Sequence, residues 1–183
     1  MKIIYFDLET TGLDSKTHSI HQLSGVVEID GKAVEHFNYN VQPASGKLVD
    51  SEALEVSGKT FEDLLSYEKS PSVFGKFVEI LGKYVDKFNK TDKYFLVGYN
   101  NSSFDNQFLR EWFIDHSENE NAKRFGNYFG SWFWANPIDV YCLSSFFTMK
   151  KRHIMIDGKL GTMAKAFGNQ VDDSNLHDGL YDV

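Results

Sequence analysis

Lys2-Ile3-Ile4-Tyr5-Phe6-Asp7-Leu8-Glu9-Thr10-Thr11-Gly12-Leu13 is the stretch that decides the fold. From Lys2 to Phe6 it is rich in β-branched and aromatic residues and alternates little, the pattern of a strand covered on both faces. Thr10-Thr11-Gly12-Leu13-Asp14 breaks the run. Stretches 20–29 and 33–41 read as two further strands, and Asp30-Gly31 between them is a strong hairpin signal. Three consecutive antiparallel strands therefore open the chain. Downstream, Val73, Phe74, Phe77, Val78, Leu81, Tyr84, Val85 and Phe88 recur three and four apart, which predicts a helix of about five turns over 71–88. The pattern then predicts a fourth strand over 94–98, a helix over 104–116 and a short fifth strand over 132–138 that ends at Asp139. Closing helices are expected over 160–167 and from Ser174 onward. Strands first, then alternating helix and strand, predict an α/β sandwich on a mixed sheet.

At 183 residues the chain is expected to form one domain. With 42% hydrophobic and 25% charged residues, the composition excludes a disordered tail and a collagen-like fibre. No apolar run approaches the roughly 18 residues a membrane helix needs. Asp7 arrives before a signal-peptide core could form. The single cysteine, Cys142, can make no internal disulfide and excludes a cysteine-built zinc site. These features predict a soluble cytoplasmic protein with no membrane partner. Lys and Arg number 19 against 26 Asp and Glu, a formal charge of −7. That balance argues against a protein whose main task is to grip long nucleic acid. It leaves room for an enzyme acting on nucleic acid, because divalent cations in an acidic site reverse the sign of the local field.

Asp7 and Glu9 lie two apart on the first expected strand, so both side chains leave the same face. Two carboxylates placed so repel each other unless a cation separates them, and hard oxygen ligands suit Mg²⁺ or Mn²⁺. Taken alone, the pair fits two solvated acids at a strand end better than a metal site. Asp105 follows a strand through the polar turn Asn100-Asn101-Ser102-Ser103 and falls in the first turn of a helix, beside the apolar stripe Phe104, Phe108 and Trp112. An acid there either serves a site or complements the helix dipole. The third element is His177-Asp178-Gly179-Leu180-Tyr181-Asp182. On one helix His177 and Asp182 would point about 140° apart. They converge only if His177 sits at the helix start in non-helical geometry, with Ser174 or Asn175 as N-cap. His18, His21, His36, His116 and His153 read as structural.

Together, Asp7-x-Glu9-Thr10-Thr11-Gly12-Leu13, Asn101-x-x-Phe104-Asp105 and His177-x-x-x-x-Asp182 resemble the DEDD exonuclease superfamily, histidine branch. Within it the chain looks most like the proofreading (epsilon) subunits of bacterial DNA polymerase III and their free-standing relatives. The similarity runs from residue 2 to the end of the chain. Asp139 matches a further acid of the family pattern, and Lys159-Leu160 to Phe167-Gly168 matches the segment that precedes the last motif. The resemblance implies a ribonuclease-H-like fold, with a five-stranded mixed sheet flanked by helices and residues 1–183 forming one exonuclease domain. It implies two divalent cations bridged by Asp7, with Glu9 and Asp182 on one ion and Asp105 acting largely through water at the second. His177 takes the position of the general base. Thr10, Thr11, Gly12 and Leu13, with Asn101 and Phe104, correspond to the substrate pocket. The implied activity is 3′→5′ hydrolysis of DNA, single strands preferred, releasing nucleoside 5′-monophosphates. An RNA-directed exoribonuclease and a catalytically silent nucleic-acid-binding module of the same fold are the alternatives. A DNA polymerase partner is left open.

Three departures accompany the likeness. His21-Gln22 stands where many members have Ile-Glu, and Asn100 where many have His. The chain also stops at Val183, one residue past an expected ligand, where relatives usually extend the last helix by two or more turns. Fraying of a helix end predicts a loosely held Asp182 and a last helix cut short. The aromatic run 125–134 reads as core or packed loop in preference to a base-stacking surface. Lys150-Lys151-Arg152-His153 fits phosphate contact and a solvated loop equally.

Overall fold

The computed structural model describes residues 1–172 and 179–183. Its frame is a sheet in the order β4-β3-β2-β1-β5-β6. The strands are β1 (Lys2–Thr10), β2 (Ile20–Ile29), β3 (Lys32–Gln42), β4 (Glu68–Lys69), β5 (Phe95–Gly98) and β6 (Ile138–Asp139). β1, β2 and β3 pair antiparallel, whereas β1–β5, β5–β6 and β3–β4 are parallel. Asp30 (φ 49°) and Gly31 (φ 81°) supply the two left-handed residues of a tight hairpin that closes on the Ile29–Lys32 pair.

The helices are α1 (Ser51–Ser57), α2 (Phe61–Ser66), α3 (Ser70–Tyr84), α4 (Asp105–Asp115), α5 (Glu120–Arg124), α6 (Phe129–Trp132), α7 (Val140–Thr148), α8 (Leu160–Ala166) and α9 (Gly179–Asp182). Strand alternation sends Ile4, Phe6 and Leu8 into the core, where they meet Val73, Phe77 and Leu81 of α3 and Phe108, Leu109 and Phe113 of α4. Asp7 and Glu9 leave β1 on the opposite face, against which α9 lies. Phe113 packs edge-on to Phe74, Phe129 and Phe133 at ring separations of 5.0, 5.2 and 5.9 Å. Among the described residues, no helix is long and apolar enough to cross a membrane.

The α/β sandwich and its opening antiparallel strands are as the sequence predicts, with three corrections. Among the described residues the sheet has six strands, not five, because Glu68–Lys69 pairs with Val41–Gln42 at the edge. Two residues are too few to carry a period. The helix expected over 71–88 stops at Tyr84, and Phe88 is 84% exposed. Asp86 and Asn89 turn the chain there by accepting the N–H groups of Phe88 and Thr91, and Lys2 Nζ donates to the Tyr84 carbonyl. The strand expected over 132–138 shrinks to Ile138–Asp139 plus a single bridge between Tyr94 and Phe133. Phe129, Trp132 and Phe133 are buried in a helical turn and its exit, and Pro137 has no N–H for a ladder.

Candidate active site

β1, β5 and β6 run parallel, so Thr10, Gly98 and Asp139 end at one edge of the sheet. The crevice beyond such strand ends is where open α/β sheets take ligands. A cleft of about 620 Å³ lies there, lined by Asp7, Leu8, Glu9, Tyr99, Asn100, Phe104, Asp105, Tyr141, Gly158, Lys159, Leu160 and Asp182.

Three carboxylates converge in it. Asp7, Glu9 and Asp182 each offer an oxygen within 4.8 Å of the others. The first two come from one face of β1. Asp182 is delivered by α9, whose close approach depends on Gly179. A Cβ at Gly179 would lie 2.9 Å from Ser24 Oγ and 3.5 Å from Asp7 Oδ2. Asp105, the first residue of α4, is 5% exposed, and its Oδ1 accepts the Leu8 N–H at 3.2 Å. It lies behind the trio and is not one of its three members.

The electrostatics fit a cation. Burial, then the carboxylates of Asp105, Glu9 and Asp182, hold the Asp7 carboxyl well above its usual range. Burial likewise pushes Asp105 up to about 7, against the pull of backbone N–H groups that include Leu8. Carboxylates crowded in this way ionise together only when positive charge is among them. An all-oxygen donor set matches hard divalent ions. Asp7, Glu9 and Asp182 are the residues that could hold them.

Asp139 has a different task. Its Oδ1 accepts from the N–H groups of Asn100 (3.0 Å) and Tyr141 (2.9 Å), and its Oδ2 from Ser102 (3.2 Å). It therefore fixes the turn before α4 and caps α7, which holds both walls of the cleft. Tyr99 OH donates to the Gly158 carbonyl, and its ring meets Tyr141 edge-on at 5.4 Å. Tyr99, Tyr141, Gly158 and the exposed Lys159 were not singled out as site residues from sequence. The clue was the position of Tyr99 directly after the Gly98 strand end.

The remaining candidates divide. Phe104 lines the cleft. Asn101 is fully buried, and neither polar atom of its amide has a hydrogen-bond partner among the described residues. Thr10, Thr11, Gly12 and Leu13 do not line the cleft. Thr10 Oγ1 donates to the Gly12 carbonyl (2.8 Å) and Thr11 Oγ1 to the Leu48 carbonyl (2.7 Å), so both hydroxyls shape the turn. A side chain at Gly12 would overlap the His18 ring, and His18 Nε2 lies 3.1 Å from Asp50 Oδ2. The clamped turn presents Leu13 outward, 83% exposed. His177 lies outside the described residues.

Similarity to known proteins places the chain in a family. The model of the exonuclease family (RNase_T) matches residues 4–183, and the chain belongs to that family. Ribonuclease T of Hahella chejuensis (strain KCTC 2396) is 30% identical over 112 residues, 58% of this chain and 50% of that protein. The zinc-bound form of E. coli Exonuclease I with single-stranded DNA superposes with a TM-score of 0.73 at 18% identity, over 99% of this chain and 37% of that one. A moderately thermophilic Exonuclease I from Methylocaldum szegediense gives 0.73 at 18% identity, over 100% and 38%. The chain thus spans half the length of the curated relative and little more than a third of these structures, whose likeness is one of fold.

Proposed function

We propose that this protein is a metal-dependent exonuclease that removes nucleotides in the 3′→5′ direction, preferentially from single-stranded DNA, and releases nucleoside 5′-monophosphates. The observation that carries the reading is the convergence of the Asp7, Glu9 and Asp182 oxygens, with Asp105 behind them, at the floor of an open cleft. Asp7, Glu9 and Asp182 would hold Mg²⁺ or Mn²⁺, and Asp105 would contribute through water. Two such cations supply an activated water and offset charge on the leaving 3′-oxygen.

The chain's own groups do the rest. The Leu8 N–H holds Asp105 in place from the backbone of the strand that carries Asp7 and Glu9. Phe104 offers the terminal base a ring at the cleft wall, and the turn from Thr10 to Leu13 follows Glu9 of the cleft directly in the chain. Lys159 stands at the rim, where a phosphate would pass. His177 is the proposed general base, accepting the water's proton near neutral pH. Residues 1–183 are read as one exonuclease domain.

A second reading, an RNA-directed enzyme of the same polarity, is favoured by the likeness to Ribonuclease T. Recognition or exclusion of the 2′-hydroxyl separates the two. The proposal is tested with a linear and a closed circular single strand of one sequence in Mg²⁺. Stepwise shortening of the linear strand with the circle intact supports it; efficient cutting of the circle overturns it.

A further inference from the structure

α7 is built inside out. Of its nine residues the buried ones are Ser144 and Thr148, whereas Leu143, Phe146 and Phe147 are 51, 65 and 72% exposed. The polar face is satisfied locally: Ser144 Oγ donates to the Tyr141 carbonyl and Thr148 Oγ1 to the Ser144 carbonyl. Helices of soluble proteins normally turn their apolar stripe inward, so an outward one marks a surface that meets something.

The position of this stripe identifies its partner. Val140, at its start, lines a smaller cavity with Asp7 and Asp182. Tyr141 and Gly158 both line the main cleft, so the excursion over 142–157 leaves the cleft rim and returns to it. At its far end are Lys150, Lys151 and Arg152, all exposed. They form the one run of three consecutive basic residues in a chain of net charge −7. Among the described residues none of the three joins an ion pair; the Asp157 carboxyl is drawn down by hydrogen bonds from Thr162 and the Lys159 N–H first, and by the Lys159 and Arg152 charges after them. Exposed aromatic rings beside exposed cations outside any ion pair suit a flexible polyanion with stacking faces. A bare apolar face would suit a protein.

We propose that the segment from α7 to Arg152 is a track for single-stranded nucleic acid. On it, bases upstream of the end held in the cleft stack on Phe146 and Phe147, and their phosphates meet Lys150, Lys151 and Arg152. The inference rests on the nuclease reading of the cleft and extends it. It gives an acidic protein a local means of holding a strand and makes affinity depend on strand length.

The probes are 5′-fluorescein-labelled (dT)4 and (dT)16, followed by anisotropy in EDTA, where no hydrolysis is needed for a signal. The parent is expected to bind (dT)16 at least tenfold more tightly than (dT)4. Phe146→Ala/Phe147→Ala should remove most of that gain. Lys150→Glu/Lys151→Glu/Arg152→Glu should remove it as well and lower the slope of log K against log salt by roughly 2, at about 0.7 per lost phosphate contact. Thermal melts establish that the variants fold, and single Phe147→Ser and Lys151→Gln variants should show smaller losses in the same direction. Equal affinity of the parent for the two lengths overturns the track, as does an unaltered gain in folded variants. Sedimentation that shows a parent dimer dissociated by Phe146→Ala/Phe147→Ala, without loss of (dT)16 binding, overturns it in favour of a protein interface. None of these outcomes depends on turnover. Failure of the nuclease reading would appear separately, as absence of hydrolysis in Mg²⁺ or Mn²⁺.

Discussion

At Asp7, burial and three neighbouring carboxylates all oppose ionisation, so the metal-free site is a source of instability. A carboxyl whose folded pKa is raised stabilises at low pH and loses that contribution as pH rises through the folded value. Asp7→Asn removes the charge and keeps the shape. In EDTA at pH 8 it should melt above the parent, by roughly 2–4 °C per kcal/mol relieved, while Mn²⁺ should stabilise the parent far more than the variant. A variant that melts lower in EDTA would contradict the account. His21 has the opposite sign. It is fully buried, its ring nitrogens find no partner among the described residues, and burial, then Lys59, lowers its pKa to about 4. Its neutral form is fully compatible with the fold above pH 6.5, and stability is lost as pH falls from 6.5 toward 4, by about 3 kcal/mol in all. His21→Leu should flatten that part of the stability–pH curve. Asp105 titrates in the same window with opposite sign, so the informative quantity is parent minus variant in urea melts at pH 7 and pH 4.5. An equal slope in both would remove His21 as the cause. Spacing put Asp7 and Glu9 on one strand face and Asp105 at a helix start, but only the three motifs read together singled them out as site residues. The burial of His21 was not, because it sits at the register shift between the Glu9–Gln22 and Thr10–Ile20 pairs. No local pattern announces such a bulge.

Among the elements, α9 matters most for the site and has the least sequence signal. Among the described residues it spans only Gly179–Asp182, and its docking on β1 and β2 turns on a glycine. Gly179→Ala would place a methyl 2.9 Å from Ser24 Oγ, which is itself tied to Asn38 Oδ1 at 3.0 Å and cannot swing away freely. The helix should shift and carry Asp182 out of reach of Asp7. The expected result is at least a tenfold loss of Mn²⁺ affinity by calorimetry, with partial recovery when Ser24→Ala is added. Unchanged affinity would show that Asp182 does not depend on this contact. The long elements were legible because their periods are long: β1 to β3 and α4 have bounds close to those expected. Where the reading failed, a tertiary cause replaced a local one. Lys2 and the Asp86–Asp92 turn end α3 early, core aromatics convert the 129–133 run into a helical turn, and β4 exists only through its partner. Asp139 was legible as an acid in a family pattern, but its work as a receiver of three backbone N–H groups appears only when the 99–103 turn and α7 meet.

For the whole molecule, the sequence reading held where fold class follows from element order: three strands, then alternation, give a mixed sheet with helices on both faces. The parallel strand ends then open onto one edge, which places carboxylates separated by 175 residues, Asp7 and Asp182, in one cleft. Net charge taken alone argues against a protein that grips long nucleic acid and leaves an enzyme acting on it open. Its distribution adds to that, because acids concentrate where cations are expected and the exposed run from Lys150 to Arg152 lies on the excursion between Tyr141 and Gly158 of the cleft. The central claim is that these carboxylates form a metal-dependent site for trimming strands from the 3′ end. Its most direct test is a 5′-labelled single-stranded DNA 20-mer, with matched RNA alongside, incubated with Mg²⁺, Mn²⁺ or EDTA and resolved at single-nucleotide spacing. The account predicts a ladder descending one nucleotide at a time from full length in Mg²⁺ or Mn²⁺, faster on DNA than on RNA, and no product in EDTA. Loss of the 5′ label as a mononucleotide, or turnover that persists under complete chelation, would contradict it.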